Sequence, residues 1–436
     1  MLNLIKPYIA RLLTSDALLN TKRLIFHYKR QLTKSPKIVI VCLRIDDPYS
    51  YLLLQVLKTF QARFNLYYQF KIVHEVQKAM YPEYPLWQKN AFNDAQYLSK
   101  LFNLSFPTSP LNSNIETKEF SCRLVALEQD STFIDKALTL FDHYWHGNDT
   151  ELQLDEKSSE TLNLLADQLL ENELAQKKKG HYLSGSLYFE GEYYWGLDRL
   201  HHLEKRLLQQ LKSNSQPLFY FHRDQHVLAF NHGTVTKQSK IDCFKAKPIE
   251  VYWSLRSPYS YIGLIRVIKL AEHYQTPLVI KPVLPMVMRD LPVPSAKRSY
   301  ILHDAKREAK KYGIPFGFIA DPLGKGVERC YALFDYAKTE GKEINFLKNY
   351  ATAVWTQGVQ SDTDKGLKAI VEKSGLDWLH AKQIVKNQEW RQWANENLAE
   401  LYAHNLWGVP SFIYNNQSVF GQDRLWLIEQ KIVEDL

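Results

Sequence analysis

Val251-Tyr252-Trp253-Ser254-Leu255-Arg256-Ser257-Pro258-Tyr259-Ser260-Tyr261-Ile262 is an apolar run, a short polar turn and the start of a second apolar pattern. Nearly the same text stands earlier, where Asp47-Pro48-Tyr49-Ser50-Tyr51-Leu52 follows the apolar run 38–45. The offset is 210 residues, and it also pairs Lys71 with Lys281, Asp94 with Asp304, Phe106 with Phe316 and Trp145 with Trp355. A constant offset over about a hundred residues points to a tandem duplication of one domain, and a chain of 436 residues has room for two cores.

Each repeat opens the same way. The β-branched runs 38–45 and 249–255 read as strands, 51–64 and 261–274 as helices with apolar residues three and four apart, and 66–73 and 278–283 as second strands. Strand, helix, strand implies a parallel pair with a crossover. The middle is helical. In the second repeat, 296–312 ends at Gly313-Ile314-Pro315, and 344–357, 366–374 and 376–401 continue the pattern. Two short strands and a helix close each repeat. In the second these are 410–414, 418–420 and 423–434, with Asn415-Asn416 at the hairpin turn; in the first they are 186–189, 193–195 and 197–211, with Glu190-Gly191 at the turn. Here Gly196-Leu197-Asp198-Arg199-Leu200 pairs with Gly421-Gln422-Asp423-Arg424-Leu425 at an offset of 225, so the first repeat is shorter by fifteen residues. The expected organisation is an extension 1–36, a domain 37–212, a connector 213–247 with a short hairpin over 217–229, and a domain 248–436.

Composition is that of a globular protein, 45% hydrophobic and 23% charged, with a formal net charge of +8. Residues 1–36 carry seven Lys/Arg against the single acid Asp16. The remainder is nearly balanced, so nucleic acid is not an expected partner. The extension reads as one or two basic amphipathic helices, which pack on the first domain or lie on a membrane surface. Cys42, Cys122, Cys243 and Cys330 form no C-x-x-C pair and do not superimpose under the repeat offset. No metal site and no disulfide framework are expected. No apolar run is long enough to span a bilayer. Lys6, Pro7 and Arg11 interrupt the N-terminal apolar stretch, so a secretory signal is not expected and the cytoplasm is the default.

The order of elements is that of a thioredoxin-type fold with a helical insertion. The stretch 251–261 resembles the opening of the 2-hydroxychromene-2-carboxylate isomerase and kappa-class glutathione transferase family, a DsbA-like branch of the thioredoxin superfamily. Gly408-Val409-Pro410-Ser411-Phe412, then Phe420-Gly421-Gln422-Asp423-Arg424-Leu425, resemble its closing signature, and Lys281-Pro282-Val283-Leu284 and 350–364 fit its middle. The resemblance covers 248–436 and, more weakly, 37–211. It implies an α/β chain of two DsbA-type thioredoxin-like domains, each with an inserted helical subdomain.

In such a fold the turn after the first strand feeds a helix N-terminus, whose free N–H groups and dipole favour negative charge. Ser257-Pro258-Tyr259-Ser260 carries no thiol there, which disfavours a thiol–disulfide oxidoreductase. Thiol chemistry would need a cofactor, and the resemblance implies glutathione. Ser257 would donate to the glutathione sulfur and help hold a thiolate, although it also reads as a plain helix N-cap. A thiolate that adds to an electron-poor double bond, allows rotation and leaves gives cis–trans isomerisation; attack on an electrophile with a leaving group gives transfer. Pro410 resembles the family's cis-proline, with Val409 facing the cysteinyl backbone. Gln422 and Asp423 stand where the family binds the γ-glutamyl end. Tyr259 and Lys281 are candidates for the substrate, Lys281 for an anionic carboxylate or as an exposed strand-end lysine.

The first repeat departs from this pattern. Asp47 replaces Ser257 and Gly185 replaces Pro410, while Asp198 persists as a structural acid. A carboxylate at position 47 is expected to offer no proton near neutral pH and to repel a thiolate. The expected function is a glutathione-dependent isomerase or transferase acting on a small electrophile, which the resemblance implies to be of aromatic origin, with the second domain active and the first degenerate. The alternative is a non-catalytic tandem scaffold. Expected partners are the small-molecule substrate and the other repeat, and a homodimer is compatible with both.

Overall fold

The computed structural model describes residues 2–110, 117–147, 159–215, 218–219 and 247–436. The chain divides into two compact units: Asn20–Gln225, and Met1–Leu19 with His226–Leu436. The expected connector and its hairpin lie largely outside the described residues, as does Cys243.

The N-terminal unit holds β1 (Ile38–Leu43), β2 (Tyr67–Ile72), β3 (Ser186–Phe189) and β4 (Glu192–Trp195), in the order β2-β1-β3-β4. The strand β1 runs parallel to β2 and antiparallel to β3, and β3 pairs antiparallel with β4. The C-terminal unit holds β5 (Ile249–Trp253), β6 (Leu278–Pro282), β7 (Ser411–Tyr414) and β8 (Gln417–Phe420), in the order β6-β5-β7-β8 with the same directions. The parallel pairs are bridged by the helices Pro48–Phe64 and Pro258–Tyr274. In β1, Val39, Val41 and Leu43 are fully buried, as are Val251, Tyr252 and Trp253 in β5. That is why these central strands read as continuous apolar runs.

Pairs predicted from the offset make matching bonds. Trp145 Nε1–H donates to the Ile45 carbonyl at 3.0 Å, and Trp355 Nε1–H to the Leu255 carbonyl at 2.9 Å. The hydroxyl of Tyr49 meets Asp94 at 2.8 Å and that of Tyr259 meets Asp304 at 2.7 Å. At the closing blocks, Gly196 N–H reaches the Gly185 carbonyl (2.7 Å) as Gly421 N–H reaches that of Pro410 (2.8 Å). Both hairpin turns have positive φ at both central residues, 44° and 69° at Asn415-Asn416 and 44° and 88° at Glu190-Gly191. Such a turn matches the twist of the strands it joins.

Four expectations are corrected. The crossover helices start at Pro48 and Pro258, not three residues later. Proline suits the first helical position, where its missing N–H is no loss, so the turn tetrad is itself the first turn of helix. The run 376–401 is two helices, Trp378–Ile384 and Trp390–Ala403. Between them the Asn387 side chain accepts from Glu389 N–H at 2.9 Å, a local bond that competes with the helix ladder. The last helix is Leu425–Asp435, preceded by a 3-10 turn, Gln422–Arg424, which follows Gly421 at φ 87°. At the N-terminus, the first helix, Leu2–Leu13, belongs with the C-terminal unit rather than the first domain. Tyr8 meets the Phe318 ring edge-on at 5.1 Å.

Candidate functional site

The site is built where β5 turns into the helix Pro258–Tyr274. Ser257 is the N-cap, in extended conformation (φ −93°, ψ 117°), and its Oγ accepts from Ser260 N–H at 3.1 Å. The same hydroxyl donates to the Val409 carbonyl at 3.3 Å, across 152 residues of sequence. The Val409–Pro410 peptide is cis, as the sequence reading expected. Ser257 and Val409 are half-buried, and Pro410 is buried. Since the Pro410 carbonyl takes the Gly421 N–H, the Gln422-Asp423 turn is tied to the same place. Three distant pieces of chain therefore meet around one helix N-terminus.

Gly263, one turn and a half into that helix, makes the meeting fit. A Cβ there would lie 3.0 Å from Phe412 Cζ, 3.2 Å from Pro410 Cγ and 3.4 Å from Gln422 Cβ. A lone glycine inside a helical pattern was the signal for this close approach.

Gln422 does not turn outward. It is 1% exposed, and its Nε2 donates to Asp423 at 2.7 Å and to Glu308 at 3.2 Å. Arg266 donates to both its side-chain and its backbone oxygen. Arg266 also lies over the Tyr312 ring at 3.9 Å. Buried Arg266 and Glu308 thus hold the amide that orients Asp423, which is itself half-buried. Neither Arg266 nor Glu308 stands out in the sequence, because an Arg and a Glu on helices read as surface residues.

The other two candidates stand apart. Tyr259 gives its hydroxyl to Asp304, which is buried and paired with Arg307 at 2.8 Å. Lys281, on β6 opposite Tyr252, is held by Glu250 at 3.0 Å and by Glu400. Burial works against its charge, but the bonds to Glu400 and Glu250 outweigh that and hold its pKa above the ordinary lysine value. Among the described residues its ion-pair partners are these two carboxylates, not the Ser257–Val409–Asp423 group. Sequence reading also passed over Lys297. It lies seven residues before Asp304 in the helix Ser295–Lys311, two turns away on the same face. Desolvation brings its ammonium pKa down to about 8.

The N-terminal unit has the same backbone and different contents. Asp47 caps its helix, taking Tyr49 N–H at 3.2 Å and the Ser50 hydroxyl at 2.8 Å. It is 1% exposed, and burial pushes its pKa up from the ordinary carboxylate value against the pull of Arg44. Gly185 has φ 59°, and a Cβ on it would sit 2.9 Å from Ser50 N and 3.1 Å from Asp47 Oδ2. That approach leaves no room for a proline ring. Buried Leu53 stands where the other unit has Gly263. Buried Val56, Leu98 and Leu197 stand where it has Arg266, Glu308 and Gln422. Cys42, Cys122 and Cys330 are buried, and burial raises the Cys42 thiol pKa to about 12.

Residues 248–433 match the DSBA-like thioredoxin domain family. The chain is 26% identical to the 2-hydroxychromene-2-carboxylate isomerase of Pseudomonas putida over 193 residues, 42% of this chain and 92% of that one. It is 22% identical to the enzyme of the same name from Sphingobium xenophagum, over 43% of this chain and 99% of that one. A solved structure of a 2-hydroxychromene-2-carboxylate isomerase matches 43% of this chain and 95% of its own at 24% identity, with a TM-score of 0.38. The C-terminal half is thus a DsbA-like thioredoxin domain.

Proposed function

We propose that the C-terminal unit is a glutathione-dependent isomerase or transferase for a small electrophile, and that the N-terminal unit is a duplicated copy without that activity. The observation that carries the reading is the Ser257 hydroxyl, at a helix N-terminus and 3.3 Å from the Val409 carbonyl beside cis Pro410. The isomerase relatives, matched over most of their own length, support the reaction class. The donor set suits a thiol peptide: a hydroxyl donor and a helix dipole favour a thiolate, and the turn itself has no thiol to compete.

Glutathione, when bound, would supply the nucleophilic sulfur. Ser257 would turn its proton from the Val409 carbonyl to that sulfur. Val409 and Pro410 would hold the peptide part. Asp423, oriented by Gln422, would receive an ammonium group. Tyr259, its hydroxyl engaged by Asp304, would offer its ring to the substrate. The recurrent 210-residue hydrogen bonds support duplication, and the apolar replacements at 53, 56, 98 and 197 support loss of the site in the first copy.

Calorimetric titration of glutathione into the wild type and Ser257→Ala tests this. Binding by the wild type and its loss in Ser257→Ala are expected. No binding by either protein overturns the cofactor and leaves the scaffold reading.

A further inference from the structure

The second helix, Asp16–Leu32, is amphipathic in the inverted sense. From Asn20 on it belongs to the N-terminal unit, and its polar side faces the protein. Arg23 pairs bidentately with Glu192 at 2.7 and 2.8 Å, and Arg30 with Glu190 at 2.8 Å. Phe26 lies on the Gly191 backbone, where an added Cβ would meet its ring at 2.8 Å. The opposite side carries Leu24, Ile25, Tyr28 and Leu32, which are 54–85% exposed. At 100° per residue these four span about a third of the helix circumference, and Lys22 and Lys29 border them, both exposed. Two bidentate or charge-assisted pairs fix this orientation, so the apolar side cannot roll inward without breaking them.

The first helix, Leu2–Leu13, repeats the pattern within its own unit. Ile5, Ile9, Leu12 and Leu13 are 46–63% exposed on one side, and Lys6 borders them. Isolated exposed leucines are ordinary, but two consecutive helices with outward apolar arcs are not.

We propose that the second helix docks the protein onto a bilayer surface rich in anionic headgroups. An apolar arc flanked by lysines is what an interfacial helix requires: the arc enters the acyl boundary while the ammonium groups stay with the phosphates. Of the seven Lys/Arg in residues 1–36, Arg23 and Arg30 are taken by Glu192 and Glu190, and the other five against the single acid Asp16 give the segment the charge complementary to such a surface. The same charge opposes a second copy of this chain, which would set two basic segments face to face. Nucleic acid would use the lysines and leave the apolar arc in water.

The test is co-sedimentation of the full-length protein with phosphatidylcholine vesicles, with and without phosphatidylglycerol. Binding that needs phosphatidylglycerol and falls with added salt is expected. Lys22→Gln and Lys29→Gln should weaken it roughly fivefold each. Ile25→Glu with Leu32→Glu should abolish it, with far-ultraviolet circular dichroism unchanged because both positions are exposed. No vesicle binding by the wild type, or binding indifferent to all four substitutions, overturns the proposal. So does a concentration-dependent dimer in sedimentation velocity that Ile25→Glu breaks, which would give the face to a second copy.

Discussion

Position 257 is a helix N-cap and, in the proposed function, the donor to a bound thiolate, and a substitution can separate the two. Serine and aspartate are comparable N-caps, whereas alanine at an N-cap costs about 1 kcal/mol. Ser257→Asp, which installs the residue of the other unit, is therefore expected to unfold at the wild-type urea midpoint but to lose glutathione binding, because it adds a negative charge and repels a thiolate. Ser257→Ala should lose binding and about 1 kcal/mol of stability together. A Ser257→Asp protein that still bound glutathione would reduce the serine to a cap. Lys297 supplies a pH signature. Its folded pKa, near 8, lies below the ordinary 10.5 because of desolvation. Between these values the unfolded chain binds the proton and the folded chain does not, so this residue makes stability rise with pH from about 8 to 10.5. Below that window it works against folding by a constant amount. Lys297→Met should flatten that part of the Tm-against-pH curve relative to the wild type, and parallel curves would refute the assignment.

At the scale of elements, the closing hairpin is set by its turn. Asn415 and Asn416 both hold positive φ, and Asn415 Nδ2–H also donates to Asp435 at 2.6 Å. A β-branched residue is strained in that region. Asn416→Val should therefore destabilise the protein by roughly 1–2 kcal/mol, and Asn416→Gly should leave it unchanged or slightly more stable, as read from denaturant midpoints. The hairpin was legible in the sequence because turn chemistry is local. The break between Trp378–Ile384 and Trp390–Ala403 was less so, because the apolar spacing continues through it while one Asn387 side chain redirects the backbone. The helix starts at Pro48 and Pro258 were misread by three residues for the opposite reason. There, a residue that breaks helices elsewhere opens one.

At the scale of the whole molecule, one backbone plan carries two interiors. The C-terminal unit buries a polar set, Arg266, Glu308 and Gln422, where the N-terminal unit buries Val56, Leu98 and Leu197. Each set is consistent within itself, so exchanging a single member should be costly in either direction. Gln422→Leu removes hydrogen bonds from a buried guanidinium and a buried carboxylate, and about 2–4 kcal/mol of stability is expected to go with them. Leu197→Gln sets an amide among aliphatic side chains at a cost of about 1–3 kcal/mol. Urea unfolding of the two variants measures both, and a neutral Gln422→Leu would show that the polar set does not hold the turn. What the sequence by itself determined was the element order, the two sheets of one topology and the position of the Ser257 turn. Those rest on strand alternation, helical spacing, caps and turns, all of which act within a few residues. Only the tertiary structure decided that Ser257 meets Val409, that Gly263 makes room for Pro410, that Gln422 turns inward and that Lys281 is taken by two carboxylates. The direction and burial of a side chain depend on partners as much as 156 residues away in the chain, and no local pattern encodes them.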